Sequence, residues 1–212
     1  MVLWKSPHLY VESQCKHSDY SSLSKKSLTS QSVPTDLTTW QWAFEHPIHS
    51  PMASLSPGAY IDALNPSTRL SFPEVKELAT SLSNTLVKSY GLRPCETVSL
   101  FATNSIYYPV AMWAALRVGG RINGASPAYG VDEMVHAMRT AGSKIVFTLP
   151  ACLEVVVQAA GILGIGKERV VLLEGEVDGV RSLGELVEKG RMLGEVPVAA
   201  IPEGKSNRDV CG

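Results

Sequence analysis

Two glycine-containing stretches could hold a phosphate or a nucleotide, but the first lacks the required glycine spacing and the second lies at the wrong place relative to the predicted helix. Gly204–Ser206 reads G-K-S like the end of a phosphate-binding loop, but that loop needs another glycine five positions earlier, where Ala199 stands. The three glycines of Gly161–Gly166 follow a predicted helix, whereas a dinucleotide fingerprint links a strand to a helix. We therefore interpret the first stretch as a solvated loop and the second as a helix end.

Carboxylates and histidines offer acid–base or metal chemistry, but no motif accompanies them. Glu174, Glu176 and Asp178 follow a predicted strand, at the edge where α/β proteins often bind ligands. Without a partner motif, a solvated turn is the simpler interpretation. His136 lies next to predicted core positions of a helix, and we interpret it as a structural histidine. No G-x-S-x-G nucleophile elbow accompanies the histidines, which are His8, His17, His46, His49 and His136.

Cysteine spacing and charge exclude several classes of function. The cysteines are Cys15, Cys95, Cys152 and Cys211; their wide spacing is against a zinc site. No secretory leader is recognised, which predicts four reduced thiols in a reducing compartment. A formal net charge of −1 gives no electrostatic footprint for nucleic acid or an anionic membrane. No apolar run reaches the roughly 18 residues that span a bilayer.

Strands and helices alternate along the second half of the chain. The predicted strands are Thr97–Phe101, Ile122–Ala125, Lys144–Thr148 and Arg169–Leu173. The predicted helices are Ile106–Val118, Gly130–Ala141, Pro150 to about Leu163, and one that starts at a capping box of Ser182 and Glu185. This alternation predicts a parallel sheet with right-handed crossovers. The helix over 106–118 has no polar face, so we expect it to be buried on nearly every side.

The first part of the chain has a different organisation. Residues 1–33 are rich in Ser and Lys and show no apolar period, which predicts a flexible tail. From Pro34 onward we expect order, with Asp36 capping a short helix whose Leu37, Trp40 and Phe44 share one face. A proline-rich loop should cover 46–58. Strands Ala59–Asp62 and Arg69–Ser71 should flank a turn at Asn65–Pro66, and a capping box of Ser71 and Glu74 should start a long helix that ends near Gly91.

Several of these segments resemble the adenylate-forming acid–CoA ligases, and within them the 4-coumarate–CoA-ligase-like branch. Arg69–Phe72, with Glu74, Val75 and Leu78, resembles the first core motif of adenylation domains. Thr97–Gly120, with Asn104–Ser105, Arg117 and Gly119–Gly120, resembles the second. Ser126–Pro127 matches a turn that usually reads Asn-Pro or Asp-Pro, and Pro202–Gly212, with Asp209, resembles the approach to the strand before the phosphate loop.

The resemblance implies an α/β fold: the partial N-terminal large domain of an adenylate-forming enzyme, mostly parallel sheet flanked by helices, with a small β-hairpin near the start. Residues 34–212 would be an incomplete AMP-binding domain that stops before the phosphate loop. A full-length relative would convert a carboxylic acid and ATP, with Mg, to an acyl-adenylate and then form a thioester with CoA. The family's two core motifs are structural, and its phosphate loop and catalytic lysine have no counterpart here. No residue is therefore assigned as catalytic, cofactor-binding or metal-binding, and the chain alone is expected to be inactive.

Two alternatives to a ligase piece remain open. The chain could be a non-catalytic module that binds a partner through an unfinished sheet, or its length could reflect a truncation in the gene model or in cloning. We expect a cytoplasmic protein, with the peroxisome as the alternative for a full-length relative. We also expect self-association through exposed sheet edges and no nucleic-acid partner.

Overall fold

The computed structural model describes residues 34–46 and 60–206. The predicted tail over 1–33 and nearly all of the predicted loop over 46–58 lie outside the described residues. So do Asp209 and five of the candidate residues, which are His8, Cys15, His17, His49 and Cys211.

A short helical turn opens the described chain, and its cap differs from the predicted one. Gln41–Glu45 is a single π-helical turn. The Thr38 hydroxyl accepts a hydrogen bond from the Gln41 N–H at 3.2 Å, and the Gln41 side chain accepts one from the Thr38 N–H at 2.9 Å. The residue before the turn, Trp40, makes no side-chain cap bond, and these local bonds come from Thr38; the prediction that Asp36 caps the helix is therefore wrong. Trp40 and Phe44 do pack together, with ring centroids 4.5 Å apart.

The predicted hairpin and long helix follow. Strands β1 (Tyr60–Ile61) and β2 (Arg69–Leu70) pair antiparallel. Helix α1 (Phe72–Lys88) begins at the predicted capping box, in which the Ser71 hydroxyl accepts from the Glu74 N–H and the Glu74 carboxylate accepts from the Ser71 N–H at 2.7 Å. Gly91 lies just beyond the helix with φ 69°, a conformation that glycine adopts without strain.

Five parallel strands form the central sheet. They are β3 (Thr97–Phe101), β4 (Arg121–Ala125), β5 (Ser143–Thr148), β6 (Val170–Leu172) and β7 (Arg181–Ser182), in the spatial order β4-β3-β5-β6-β7. The remaining helices are α2 (Tyr108–Arg117), α3 (Val131–Ala141), α4 (Leu153–Ile162) and α5 (Leu183–Met192). The parallel sheet and its flanking helices confirm the predicted fold class. Strand β7 was not predicted, because two polar residues carry no strand pattern.

The sheet separates two apolar cores. Alternate residues of β3 point to opposite faces: Val98 and Leu100 pack in the core that contains α1, α2 and α5. Phe101 packs in the second core, with residues of α3 and α4. Helix α2 is apolar almost all round as predicted, although Leu116 is only half-buried. The Ser182 hydroxyl accepts from the Glu185 N–H at 3.2 Å, but the structure forms only this half of the capping box predicted for α5.

A buried arginine holds an extended segment against the first core. Arg117, on α2, is 2% exposed, and its guanidinium donates to the Glu195 carboxylate and, at 2.9 Å, to the Val196 carbonyl. It also donates to the Ser83 hydroxyl at 3.1 Å and lies 5.7 Å from the centre of the Trp40 ring. Burial lowers the pKa of Arg117, and Glu195 opposes that shift. We call residues 195–199 the strap.

No helix in the described part of the chain is both long and apolar enough to cross a bilayer.

Candidate functional site

The order of the strands points to one edge of the sheet. The chain leaves β3 through α2 to reach β4 on one side, then crosses through α3 to β5 on the other side of β3. Connections from the carboxyl ends of β3 and β5 therefore run to opposite faces of the sheet, since α2 and α4 belong to different cores. In open α/β sheets, such a switch point leaves a crevice outside the carboxyl ends of the strands, and ligands bind there.

A groove of about 930 Å³ lies at the carboxyl end of β3. One wall is Tyr60–Leu64, from the hairpin; the other is Ala102–Ile106, the loop between β3 and α2. Tyr108, Pro109 and Glu174 complete the lining. We call this the hairpin groove. Sequence patterns did not predict it, because it joins segments that are far apart along the chain.

Aromatic contacts fix the hairpin wall to the helical core. The Tyr60 ring lies edge-on to the Phe72 ring, with centroids 6.2 Å apart. The Trp113 indole N–H donates to the Tyr60 hydroxyl at 3.5 Å, the long limit for such a bond. On the opposite wall, the Ser105 hydroxyl accepts from the Tyr107 N–H at 3.1 Å and orders the start of α2. The hairpin wall is therefore held by contacts with α1 and α2, and the opposite wall by a hydrogen bond at the start of α2.

The groove carries acidic and apolar groups. Asp62 and Glu174 are the charged side chains among its described lining residues, and no Lys, Arg or His joins them. Partial burial raises the pKa of the Tyr108 phenol, so this group is a neutral hydrogen-bonding partner near neutral pH. The described lining can therefore attract a cation, and it offers no positive charge to an anion.

The glycine-containing stretches behave as predicted. Gly204 has φ 75° and lies in an exposed turn, which the Lys205 N–H closes by donating to the Pro202 carbonyl at 3.0 Å. Gly161 is near the end of α4, and Gly164 has φ 68° immediately after it. These positions confirm a solvated loop and a helix end.

The histidine and carboxylate candidates have mixed outcomes. His136 is exposed on α3, beside a shallow depression, so its interpretation as a structural histidine packed beside the core is wrong. Its neighbours Met134, Val135 and Met138 carry the buried face of the helix instead. Of the acidic cluster after β6, Glu174 lines the hairpin groove, while Glu176 and Asp178 are exposed outside it.

Cysteine chemistry differs from the expectation of four reduced thiols. Cys95 is disulfide-bonded in the structure, so the prediction is wrong for this residue. Cys152 is free and buried, and burial raises the pKa of its thiol. Across residues 34–46 and 60–206, no three His, Cys, Asp or Glu side chains are arranged to hold a metal ion.

Known proteins share both the sequence pattern and the fold of this chain. A family model described as AMP-binding enzyme matches residues 56–200. The chain is 32% identical over 111 residues to phenylacetyl-CoA ligase epaB of Aspergillus niger, a match that covers 52% of this chain and 20% of that protein. It is 30% identical over 135 residues to the probable CoA ligase CCL5 of Humulus lupulus, covering 62% of this chain and 24% of that protein. The match thus spans about a fifth to a quarter of the length of these curated relatives.

Solved structures give the same fold at low identity. The anthranilate CoA ligase AuaEII, solved with anthranoyl-AMP, has a TM-score of 0.66 and 17% identity, covering 84% of this chain and 32% of that chain. A benzoate CoA ligase from Burkholderia xenovorans LB400 has a TM-score of 0.53 and 21% identity, covering 74% of this chain and 28% of that chain. At these identities, the likeness establishes the fold alone.

Proposed function

This chain belongs to the AMP-binding enzyme family, and we propose that its residues 34–212 form the first α/β section of a carboxylic acid–CoA ligase. Such a ligase joins an acid to ATP as an acyl-adenylate and releases pyrophosphate; the thiol of CoA then displaces AMP to give a thioester. The observation that carries the proposal is the family match over residues 56–200. The parallel sheet and its likeness to a CoA ligase structure support it.

ATP, Mg²⁺ and CoA are implied by the family, but the hairpin groove does not fit the triphosphate. Triphosphate binding requires cations and converging backbone amides, whereas the charged groups of this groove are Asp62 and Glu174. The Asp62 carboxylate also accepts from the N–H groups of Leu64 at 2.8 Å and Asn65 at 3.2 Å. We therefore assign no step of adenylation to the described residues, and propose that the 212-residue chain alone is inactive.

Acid-dependent exchange of labelled pyrophosphate into ATP tests this proposal. The purified chain, supplied with Mg²⁺, ATP and a panel of carboxylic acids, should give no exchange above a no-acid blank. A complete CoA ligase in the same buffer is the positive control. Exchange by the isolated chain would contradict the proposed inactivity.

Sequencing the transcript beyond the Gly212 codon tests the ligase proposal itself. We expect the reading frame to continue into a strand and then a Ser/Thr/Gly-rich loop that ends in Pro-Lys-Gly. A stop codon directly after Gly212 would instead favour the non-catalytic module. The two experiments are independent, because the first concerns the chain alone and the second concerns the whole gene product.

An aromatic acid is the proposed substrate of the whole ligase. Proteins similar to this chain include a phenylacetyl-CoA ligase and a nicotinic acid-CoA ligase, and similar solved structures include anthranilate and benzoate CoA ligases. Assaying the full-length protein with phenylacetate, 4-coumarate and a medium-chain fatty acid tests this. A preference for the fatty acid by kcat/KM would contradict the aromatic assignment.

Three expectations about the protein as a whole remain proposals. We propose a cytoplasmic location, with the peroxisome as the alternative, which imaging of the tagged full-length protein would decide.

We propose that residues 1–33 form a tail separate from the 34–212 domain, so trypsin should cut at Lys16, Lys25 and Lys26 before it cuts the domain. We also propose self-association through the sheet edges, which concentration-dependent light scattering would reveal; β4 and β7 are the outer strands of the sheet.

A further inference from the structure

The turn between β1 and β2 is tightly ordered, yet it holds a leucine in solvent. The Asp62 N–H donates to the Thr68 carbonyl at 3.0 Å, and the Thr68 N–H donates to the Asn65 carbonyl at 2.8 Å. The Asn65 side chain also donates to the Thr68 hydroxyl at 2.8 Å. Leu64, inside this network, is 98% exposed. A preordered turn that presents an apolar side chain loses little conformational entropy when a partner covers that side chain.

Apolar surface continues from Leu64 into the hairpin groove. Ile61, on β1, is 52% exposed and lines the groove. Ile106 and Pro109 lie on the opposite wall. A single exposed leucine is ordinary on a protein surface, but here two exposed aliphatic side chains border a groove that also has apolar lining.

The charges of the groove define what could cover it. Asp62 and Glu174 give the lining two negative charges, and none of its described residues is Lys, Arg or His. An anionic occupant would be repelled, whereas a lysine or arginine would be attracted. This surface is thus unsuited to the acid and nucleotide substrates of the proposed function, and the inference does not depend on that function.

The backbone of β1 favours a polypeptide over a small cation. β1 and β2 form a two-stranded sheet, so the outer edge of β1 has no strand partner among the described residues. An open strand edge offers main-chain donors and acceptors to an added strand. Tyr60 and Ile61 of β1 line the groove, and Asp62 follows them directly, so a strand added at this edge would lie next to a groove carboxylate.

We propose that the hairpin groove docks an extended polypeptide segment in which lysine or arginine side chains alternate with aliphatic ones. The cationic side chains meet Asp62 and Glu174, and the aliphatic ones pack on Ile61 and Leu64. The occupant is a segment of a partner protein with this chemistry.

Fluorescence anisotropy with two labelled, end-capped decapeptides tests the proposal. The probe alternates lysine and valine, and its matched control alternates glutamate and valine. At low salt, the lysine peptide should bind the 212-residue chain saturably and the glutamate peptide should not. Equal binding of both peptides, or saturable binding of neither, would overturn the proposal.

Substitutions locate the binding surface. Asp62→Asn keeps the oxygen that accepts from Leu64 and Asn65, so the turn is retained while the charge is lost. Combined with Glu174→Gln, it should weaken binding of the lysine peptide about tenfold, and Leu64→Ser should weaken it about threefold.

Two controls match these changes elsewhere on the surface. Glu176→Gln with Asp178→Asn removes the same charge from the exposed loop outside the groove, and Met192→Ser removes an exposed apolar side chain on α5. Both controls should change affinity by about twofold or less. Circular dichroism melts would verify that each variant folds. If the groove variants and the controls weakened binding equally, the peptide would be bound elsewhere and the proposal would be wrong.

Discussion

Gly190 of α5 lies directly against the Ser81 carbonyl of α1. A Cβ atom at position 190 would be 1.8 Å from the Ser81 oxygen and 2.9 Å from the Thr85 hydroxyl. Side chains of α1 bridge the same contact, since Asn84 donates to the Gly190 carbonyl at 3.2 Å and Thr85 donates to the Leu186 carbonyl at 2.7 Å. The distance between the two helices is therefore set by the absence of a side chain at 190.

Gly190→Ala should lower the free energy of unfolding by at least about 3 kcal/mol, because a backbone carbonyl cannot move aside as a flexible side chain can. Urea unfolding followed by circular dichroism measures the loss. Gly161→Ala, in α4, is the matched control: its added Cβ meets nothing within 4 Å, and alanine is favoured over glycine in a helix by about 1 kcal/mol. Equal stability of the two variants would contradict the packing of α5 on α1.

Arg117→Ala should destabilise the protein by about 2–4 kcal/mol, because it removes packing against Trp40 and leaves the Val196 carbonyl and Ser83 hydroxyl without this donor. Glu195→Gln should cost only about 0–1 kcal/mol, since the Glu195 side chain is 65% exposed. Thermal melts of both variants measure this asymmetry.

Arg191→Ala is the control for loss of an arginine ion pair. Arg191 also pairs with carboxylates, those of Glu77 and Glu188, but it lies on the surface. Its replacement should therefore leave the melting temperature near that of the parent. If Arg117→Ala and Arg191→Ala had the same melting temperature, Arg117 would not be what holds the strap.

Local signals predicted much of the fold. The capping box of Ser71 and Glu74 fixed the start of α1, because both partners lie within one turn of the chain. The apolar run of Thr97–Phe101 predicted β3 with its observed bounds, since a fully buried parallel strand needs no alternation. Such features depend only on residues that are close together along the chain, so a single sequence is enough to predict them.

Features that depend on distant neighbours were missed. The groove forms where Tyr60–Leu64 meets Ala102–Ile106 and Glu174, and nothing in these segments alone indicates that they are adjacent. The burial of Arg117 likewise depends on the strap, which reaches α2 from the other end of the chain. His136 was misassigned because its neighbours along the sequence are apolar, while the helix turns the histidine outward.

Ala114→Asp should lower the free energy of unfolding by more than about 3 kcal/mol, because Ala114 is fully buried on α2 and the new carboxylate would have no partner. Ala128→Asp makes the same chemical change at an exposed position and should be nearly neutral. Leu116→Ala should cost less than the range of about 2–5 kcal/mol for a fully buried leucine, because Leu116 is half-buried. A melt of Ala114→Asp that matched the parent would contradict the burial of α2.

Glu74 should make the stability of the protein depend on pH in the acid range. Hydrogen bonds from the Ser71 side chain and then from the Ser71 backbone hold the pKa of Glu74 below its ordinary value. A carboxyl whose folded pKa is depressed stabilises the fold fully above the unfolded pKa of about 4.3, and this contribution disappears as the pH falls through the folded value.

The difference in free energy of unfolding between the parent and Glu74→Gln isolates this contribution, because glutamine does not titrate. The difference should be constant between about pH 7 and pH 5.5. As the pH falls towards about 3, the parent should lose stability relative to Glu74→Gln. Repeating the comparison in a Ser71→Ala background is the control, since removing the hydroxyl removes the largest cause of the pKa shift. The change of this free-energy difference with pH should then become smaller. A difference that stayed constant across the whole range, or a slope that Ser71→Ala left unchanged, would show that the capping box does not set the ionisation of Glu74.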